Sequence, residues 1–175
     1  MAMKMNRRTF LKTSAAAAAA ISLTGLLGGC GDSAIGTDFG GFQATVTKLR
    51  SVDNTEAGEP AKEWKADVKV WVRVKDTTGA GTPVNAEQSF ALYIDDQYIN
   101  MVGGDLLNNN KQIYWKKNEA KENWMHFELA EGQQAMYEGI VKRTAKITFT
   151  IKTLKKEENY TLDYNDPSGY TFVKD

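Results

Sequence analysis

The sequence has only one cysteine and one histidine among its 175 residues. A single cysteine excludes a framework of disulfides within the chain. A single histidine excludes a zinc site built from two or three histidines, and the chain contains no G-x-S-x-G motif of the kind that presents a hydrolase nucleophile. These absences predict a protein that is not an enzyme and has no cofactor, with a hydrolase as the less favoured alternative.

Acidic residues are missing from the first part of the chain. The whole sequence has 22 basic and 22 acidic side chains, but four of the basic ones lie before position 13 and no acid precedes Asp32. Residues 30–175 therefore carry 18 basic and 22 acidic side chains. A mildly acidic domain is a poor general binder of polyanions, so nucleic acid is not an expected partner.

Residues 1–30, which we call the leader, lack a hydrophobic run long enough to span a membrane. The leader combines a basic segment through Lys12, a weakly apolar stretch from Ser14 to Leu27 and two glycines before Cys30, which is the layout of a signal peptide. The apolar stretch is about 14 residues long, whereas a helix that spans a bilayer needs about 20. We therefore expect a signal peptide over residues 1–29.

Residues 7–12, RRTFLK, resemble the twin-arginine export signal. The positions that match its pattern are Arg7, Arg8, Phe10 and Leu11, and Asn6 stands where the pattern usually has serine or threonine. The resemblance implies export across the cytoplasmic membrane, by a route used for proteins that fold beforehand.

Residues 27–30, LGGC, resemble a bacterial lipobox. The resemblance implies that Cys30 receives a diacylglycerol group, becomes the N-terminus after cleavage and anchors the protein to a membrane. Two or three acyl chains hold a protein on a membrane durably. The predicted location is therefore extracytoplasmic, on the cell surface or in the periplasm. The alternative is a buried thiol at Cys30, which the neighbouring glycines disfavour.

The segment after the leader divides into a spacer and one domain. Residues 30–41 are rich in glycine and small polar residues, which predicts a lipidated N-terminus and a flexible spacer. In residues 42–175 the main signal is alternation of apolar and polar residues, which indicates strands with one buried face. The apolar positions of the alternating segments are Phe42, Ala44, Val46, Val68, Val70, Val72, Val74, Phe90, Leu92, Ile94, Met125, Phe127, Leu129, Ile147, Phe149, Ile151, Tyr160, Leu162 and Tyr164.

About seven to eight such strands predict an all-β domain, an antiparallel sandwich whose two sheets cover each other. The layout resembles the immunoglobulin-like, telokin-like domains of bacterial surface lipoproteins, through the segments FQATVTKLR, DVKVWVRVKDTTG, SFALYIDDQYI and ELAEGQQAMYEGIVKR. The resemblance implies a glycine turn followed by a strand in the last segment. The best candidate for a helix is one or two turns at residues 116–124.

Aromatic residues form the candidate partner-binding site. Tyr114, Trp115 and Trp124 lie in the asparagine-rich stretch of residues 106–124, and such rings offer large, stiff contact surfaces. Long segments on rigid strands are a usual place for binding residues. The alternative is that these rings cover the ends of the core. His126 is expected to be a surface imidazole on the outer face of its strand.

Two pairs of aspartates are weaker candidates for a cation site. Asp95 and Asp96 are interpreted as the tip of a hairpin. Asp163 and Asp166 are interpreted as parts of a turn, because Pro167 occupies a donor position of a calcium loop. No metal site is predicted, although the sequence leaves weak cation binding open at either pair.

Basic residues gather between positions 142 and 156. We interpret them as a solvated strand face in which lysine prevents edge pairing. The alternative is contact with anionic lipid or cell-wall polymer. The basic residues of this segment are Lys142, Arg143, Lys146, Lys152, Lys155 and Lys156.

These features favour a lipid-anchored binding module of the bacterial cell envelope. Its expected partner is an envelope protein, peptide or glycan, and its expected contact with the membrane is the lipid on Cys30. The alternative function is a structural or accessory subunit that packs against a larger envelope complex. A large exposed apolar patch would favour that alternative.

Overall fold

The domain is built from antiparallel strands that form a closed ring. The structure, a computed structural model, describes residues 36–53, 63–166 and 170–175. Its strands are β1 (Thr37–Asp38), β2 (Phe42–Asp53), β3 (Ala66–Asp76), β4 (Val84–Asn85), β5 (Phe90–Ile94), β6 (Gln97–Gly104), β7 (Gln112–Ile113), β8 (Ala120–Leu129), β9 (Ile147–Lys152), β10 (Glu157–Asp163) and β11 (Thr171–Lys174). The described helices are α1 (Ala86–Ser89) and α2 (Gln134–Val141).

Eight of the strands make a barrel. Their hydrogen-bonded order is β2-β11-β10-β9-β5-β6-β8-β3, and β3 pairs with β2 to complete the ring. The short strands β4 and β7 pair separately. The all-β prediction is confirmed. The two-sheet sandwich is not confirmed, because one continuous ring of eight hydrogen-bonded strands takes its place.

Apolar side chains that alternate along the strands fill the barrel. On β3, the valines at positions 68, 70, 72 and 74 are fully buried, and the side chains between them are partly exposed. Of the apolar positions predicted from alternation, all but Tyr164 are buried. Tyr164 follows the end of β10 and is half-buried, with its hydroxyl donating to the carbonyl oxygen of Ala145 at 2.8 Å. Burial raises the pKa of Tyr164 to about 12.

A β-bulge interrupts the alternation of β2. After Val46, the next residue paired with β3 is Lys48, which lies opposite Trp71, so Thr47 is the extra residue. Beyond the bulge Leu49 faces the core, and Lys48 is exposed on the outer face. Bulges re-aim side chains, and this one sets Lys48 beside Trp71.

Helix α2 corrects the strand that the family resemblance implies after Gly132. Its buried residues are Met136, Tyr137 and Ile140. These positions recur at helical spacing, so one side of the segment can face the core only as a helix.

The helix expected at residues 116–124 is wrong as well. Asn118 lies in a turn with a positive φ of 57°, and β8 begins two residues later. From Ala120 to Leu129 this strand pairs with β3 or with its neighbour β6. Pairing of residues 120–124 with β3 therefore outweighs the helix propensity of the lysine, glutamate and alanine residues in the segment.

Part of the predicted spacer is paired with the barrel, although the sequence places the start of the folded domain at residue 42. β1 pairs with the start of β2. Phe39 is buried, and its ring stacks on Phe42 with centroids 5.4 Å apart. The hydroxyl of Thr37 donates to Glu158 Oε2 on β10 at 3.1 Å. Burial of the Phe39 ring explains why this glycine-rich segment is held against the strands. The predicted signal peptide and Cys30 lie outside the described residues.

The hairpin predicted at Asp95 and Asp96 is present between β5 and β6. The two residues have φ values of 49° and 63°, as in a type I′ turn. Asp95 Oδ1 accepts a hydrogen bond from the backbone N–H of Lys146 at 2.8 Å, and Asp96 Oδ1 lies 2.8 Å from Lys146 Nζ. Both carboxylates therefore bind a lysine residue.

The second aspartate pair also makes turn contacts. Asp163 Oδ1 accepts from the backbone N–H of Asn165 at 2.8 Å, and Asp166 Oδ2 accepts from the Thr171 hydroxyl at 2.8 Å. Pro167 lies outside the described residues. Within the described ranges no group of three or more His, Cys, Asp or Glu side chains is placed to hold a metal ion, and none of the helices there has the length and apolarity to cross a membrane.

Candidate partner-binding surface

Trp115 is a core residue rather than a partner contact. Its side chain is 7% exposed, and its ring lies 6.3 Å from that of Phe42, centroid to centroid. Its indole N–H donates to the carbonyl oxygen of Thr82 at 2.9 Å. Burial of Trp115 fits the alternative interpretation, in which this ring covers the core, better than a contact with a partner.

Tyr114 points the other way, as expected for the residue next to a buried one in an extended segment. Its side chain is exposed, and its hydroxyl donates to Gln112 Oε1 at 2.8 Å. Its carbonyl oxygen accepts from Lys121 Nζ. Tyr114 is thus accessible, but no ring contact links it to Trp124 in the part of the chain that the structure describes.

Trp124 packs against another tryptophan on the outer wall of the barrel. It lies on β8 directly opposite Trp71 on β3. The two rings meet edge to face, with centroids 5.1 Å apart and an interplanar angle of 80°. Both side chains are half-buried. Aromatic pairs in this arrangement contribute about 0.5–1.5 kcal/mol beyond the area that they bury, so the two rings form one platform.

A lysine side chain covers part of this platform. Lys48 Nζ lies 4.9 Å from the ring centroid of Trp71 and 5.7 Å from that of Trp124. These distances are within the range of a cation–π interaction. The bulge in β2 makes the contact possible because it turns Lys48 to the outer face.

The neighbouring row of side chains holds two cations directly opposite each other, Arg50 on β2 and Lys69 on β3. Like charges at opposed positions weaken a sheet. Lys69 Nζ lies 3.7 Å from Asp67 Oδ2, whereas Lys48 and Arg50 form no ion pair within the described residues. We call Lys48, Arg50, Trp71 and Trp124 the tryptophan surface.

His126 continues the row of Arg50 and Lys69 onto β8. It lies on the outer face, as predicted, but its side chain is only 24% exposed and its Nε2 lies 3.8 Å from Asp105 Oδ2. Nε2 is buried without a hydrogen-bond partner among the described residues. The imidazole is therefore a partly covered neighbour of the tryptophan surface.

Gly104 of β6 explains how the chain passes so close to Trp124. The register between β6 and β8 shifts between Met101 and Gly103. Gly104 has a φ of +152°, and a Cβ at this position would lie 2.6 Å from the carbonyl oxygen of Trp124. Only glycine fits such an approach, so the backbone under the platform is closely packed.

The basic residues between positions 142 and 156 do not form one surface. They lie in the turn after α2, just before β9, at the end of β9 and in the turn after it. Three of them have carboxylate partners: Lys142 pairs with Glu138, Lys146 with Asp96 and Lys156 with Glu158. The interpretation as solvated lysines therefore suits the structure better than a basic stripe.

Sequence comparison places the chain among exported proteins. Residues 4–24 match the family of twin-arginine translocation pathway signal sequences. The match includes Arg7, Arg8, Phe10 and Leu11, so the predicted twin-arginine signal is confirmed, and this signal directs export across the cytoplasmic membrane. No curated protein and no solved structure matches the chain.

Proposed function

We propose that this protein is a lipid-anchored binding module of the bacterial cell envelope whose tryptophan surface contacts a negatively charged partner. The twin-arginine signal supports export, and the LGGC sequence supports a lipid on Cys30. The proposal makes the protein a non-enzyme that works without a cofactor.

The proposal depends mainly on the row of side chains formed by Lys48, Trp71 and Trp124. Tryptophan and arginine are the residues most enriched among those that dominate binding energy. Here two half-buried tryptophans lie side by side on an outer wall. Because the two rings already contact each other, less side-chain entropy is lost when a partner binds to them.

The charges beside the platform indicate the sign of the partner. Lys48 and Arg50 are exposed and have no carboxylate partner in the described parts of the chain. Arg50 also lies opposite Lys69, and the repulsion between these cations would be relieved by an anion placed above them. A partner with carboxylate or phosphate groups therefore complements this surface.

A permanent subunit of a larger complex is less well supported. Such a subunit would need a contiguous exposed apolar patch. Within the described residues the exposed large apolar side chains lie on several separate elements, namely Tyr98 and Val102 on β6, Tyr114, Val141, Leu154 and Val173. This scattering favours a binding module.

Photocrosslinking in intact cells tests the proposed contact. A photoreactive residue at Glu122, two positions before Trp124 on the same face, is expected to give a discrete crosslinked product. The double variant Lys48→Gln/Arg50→Gln is expected to reduce the crosslinked fraction roughly fivefold or more, because the attraction to the anionic partner is lost. Gel quantification and mass spectrometry of the product provide the measurement.

Two controls use exposed residues elsewhere. The photoreactive residue at Leu154, which is fully exposed in the β9–β10 turn, is expected to give no discrete product. The double variant Lys116→Gln/Lys155→Gln removes two other exposed cations and is expected to leave crosslinking from position 122 unchanged. Equal products from positions 122 and 154, or equal losses in the two double variants, would contradict the proposal.

A further inference from the structure

An open groove of about 340 Å³ crosses the outer face of β5, β9 and β10, on other strands of the ring than the tryptophan surface. Its volume is at the low end of small-ligand pockets, which measure about 300–1,000 Å³. The strand residues that line it are Tyr93, Thr148, Thr150, Glu157, Asn159 and Thr161. Every one of these side chains is polar, in contrast to the mostly apolar lining of drug-sized pockets.

Strand pairing lines up the polar groups in rows across the sheet. Thr148 on β9 lies between Tyr93 on β5 and Thr161 on β10. Thr150 lies opposite Asn159 in the adjacent row. Because paired strands fix these positions, the spacing of the hydroxyl and amide groups is set before any ligand arrives.

The groove has hydrogen-bonding capacity that the protein itself does not use. Thr150 is 6% exposed and donates its hydroxyl to Asn159 Oδ1 at 2.7 Å, which leaves the Asn159 amide N–H groups as oriented donors. The hydroxyls of Tyr93, Thr148 and Thr161 have no hydrogen-bond partner within the described ranges. A hydroxyl both donates and accepts, so this set matches a ligand that does the same.

The charges of the groove disfavour an anionic ligand. Lys146 is the basic residue among those that line the groove, and its ammonium group is hydrogen-bonded to Asp96 at 2.8 Å. This hydrogen bond raises the pKa of Lys146 above its ordinary value. Glu157 and Asp175 add two further carboxylates to the lining. Phosphates and carboxylates would therefore meet net repulsion here, unlike at the tryptophan surface.

A pair of tyrosines borders the groove. The rings of Tyr93 and Tyr98 meet edge to face with centroids 6.0 Å apart, and Tyr98 is 50% exposed. Aromatic rings of this kind offer a flat apolar face beside a polar tip. A sugar ring likewise combines an apolar C–H face with polar hydroxyl groups at its edge.

We propose that this groove binds a neutral glycan, whose hydroxyl groups hydrogen-bond to Asn159, Thr148 and Thr161 while one sugar ring lies against Tyr93. Oligosaccharides are bound on strand faces in other antiparallel β folds. The site is separate from the tryptophan surface, and its ligand differs in charge from the partner proposed there.

Titration calorimetry of the intact exported protein with sugar trimers tests this site. Chitotriose and maltotriose are neutral probes, the deacetylated form of chitotriose is cationic, and a galacturonic acid trimer is anionic. At least one neutral trimer is expected to bind, and the galacturonic acid trimer is not. Asn159→Asp, which keeps the acceptor for Thr150 but removes the donor, is expected to weaken binding about tenfold or more.

Further variants test whether the sugar binds in this groove. Thr148→Val removes one hydroxyl at nearly constant shape and is expected to weaken binding. Thr77→Val makes the same change at an exposed loop position outside the groove and is expected to have no effect. Trp71→Ala is also expected to leave sugar binding intact, so failure of the tryptophan surface would not affect this result. Binding only of the cationic trimer, no binding of a neutral trimer, or equal binding by Asn159→Asp would overturn the proposal.

Discussion

Replacement of Phe149 by alanine is expected to lower the free energy of unfolding by about 3–5 kcal/mol, the range for deleting a buried phenylalanine ring. Phe149 lies on β9 and has no exposed surface. Its ring centroid lies 6.2 Å from that of Phe90, 6.1 Å from Phe127 and 6.0 Å from Phe172. The substitution would therefore open a cavity where rings from β5, β8 and β11 meet. Urea unfolding followed by tryptophan fluorescence measures the loss.

Leu154→Ala is the matched control for this measurement. Leu154 lies in the turn after β9 and is fully exposed, so its removal is expected to change stability by no more than about 0.5 kcal/mol. A loss below about 1 kcal/mol for Phe149→Ala, or equal losses for the two variants, would contradict a barrel core centred on Phe149.

Replacement of Asp76 by alanine is expected to cost about 2–4 kcal/mol, because hydrogen bonds to a charged group contribute about 1.5–3 kcal/mol each and water replaces some of them. Asp76 ends β3 and is 1% exposed. Its Oδ1 accepts from the backbone N–H of Thr78 at 2.9 Å and from the Thr78 hydroxyl at 2.6 Å. Its Oδ2 accepts from the N–H groups of Gly81 at 3.1 Å and Asn118 at 3.2 Å. The carboxylate thus holds two loops together.

The contribution of Asp76 is also expected to depend on pH. Burial by itself would raise the pKa of Asp76, but the hydrogen bonds from Thr78, Gly81 and Asn118 outweigh it and hold the pKa below the ordinary 3.8. Stability from such a carboxyl is present above the unfolded pKa and is lost as pH falls through the folded pKa. The stability difference between the natural protein and Asp76→Asn is therefore expected to shrink below about pH 4.

Asp67→Ala is the control that distinguishes the hydrogen bonds of Asp76 from the effect of an ordinary surface carboxylate. Asp67 lies on the same strand and makes only a 3.7 Å ion pair with Lys69 among the described residues, and such pairs contribute about 0–1 kcal/mol. An Asp76→Ala variant as stable as Asp67→Ala would contradict the conclusion that the Asp76 carboxylate holds the two loops together. So would a difference between the natural protein and Asp76→Asn that grows toward acid.

Strand positions could be predicted from the sequence because alternation is local. The valines of β3 and the apolar residues of β9 need only their immediate neighbours to show which face is buried. Closure of the ring could not be predicted, because it depends on pairing between Thr171 of β11 and Lys48 of β2, which are far apart in the chain. No local pattern distinguishes a strand in a sandwich from one in a closed barrel.

Only part of the candidate site can be predicted from alternation in the sequence. Alternation already assigns Trp71 to the outer face of β3, beside Lys69 and Arg73, and Trp124 to the outer face of β8. Their pairing depends on strand register, which the sequence does not encode locally. Trp115 is a candidate from sequence because it is an aromatic residue in an asparagine-rich stretch, although it shares the inward side of its segment with Ile113. Lys48 joins the platform only through the bulge in β2.

Cell fractionation combined with intact mass measurement tests most directly whether this barrel works outside the cytoplasm on a lipid tether. Arg7→Lys/Arg8→Lys is the export control, and it is expected to leave the precursor in the cytoplasm. The natural protein is expected in the membrane fraction, with a mass that fits residues 30–175 plus acyl chains on Cys30. Cys30→Ser is expected to lose the acyl mass and either to leave the membrane fraction or to remain unprocessed. Cys30→Ser protein that is processed as before and retained on membranes to the same extent would contradict the lipid tether.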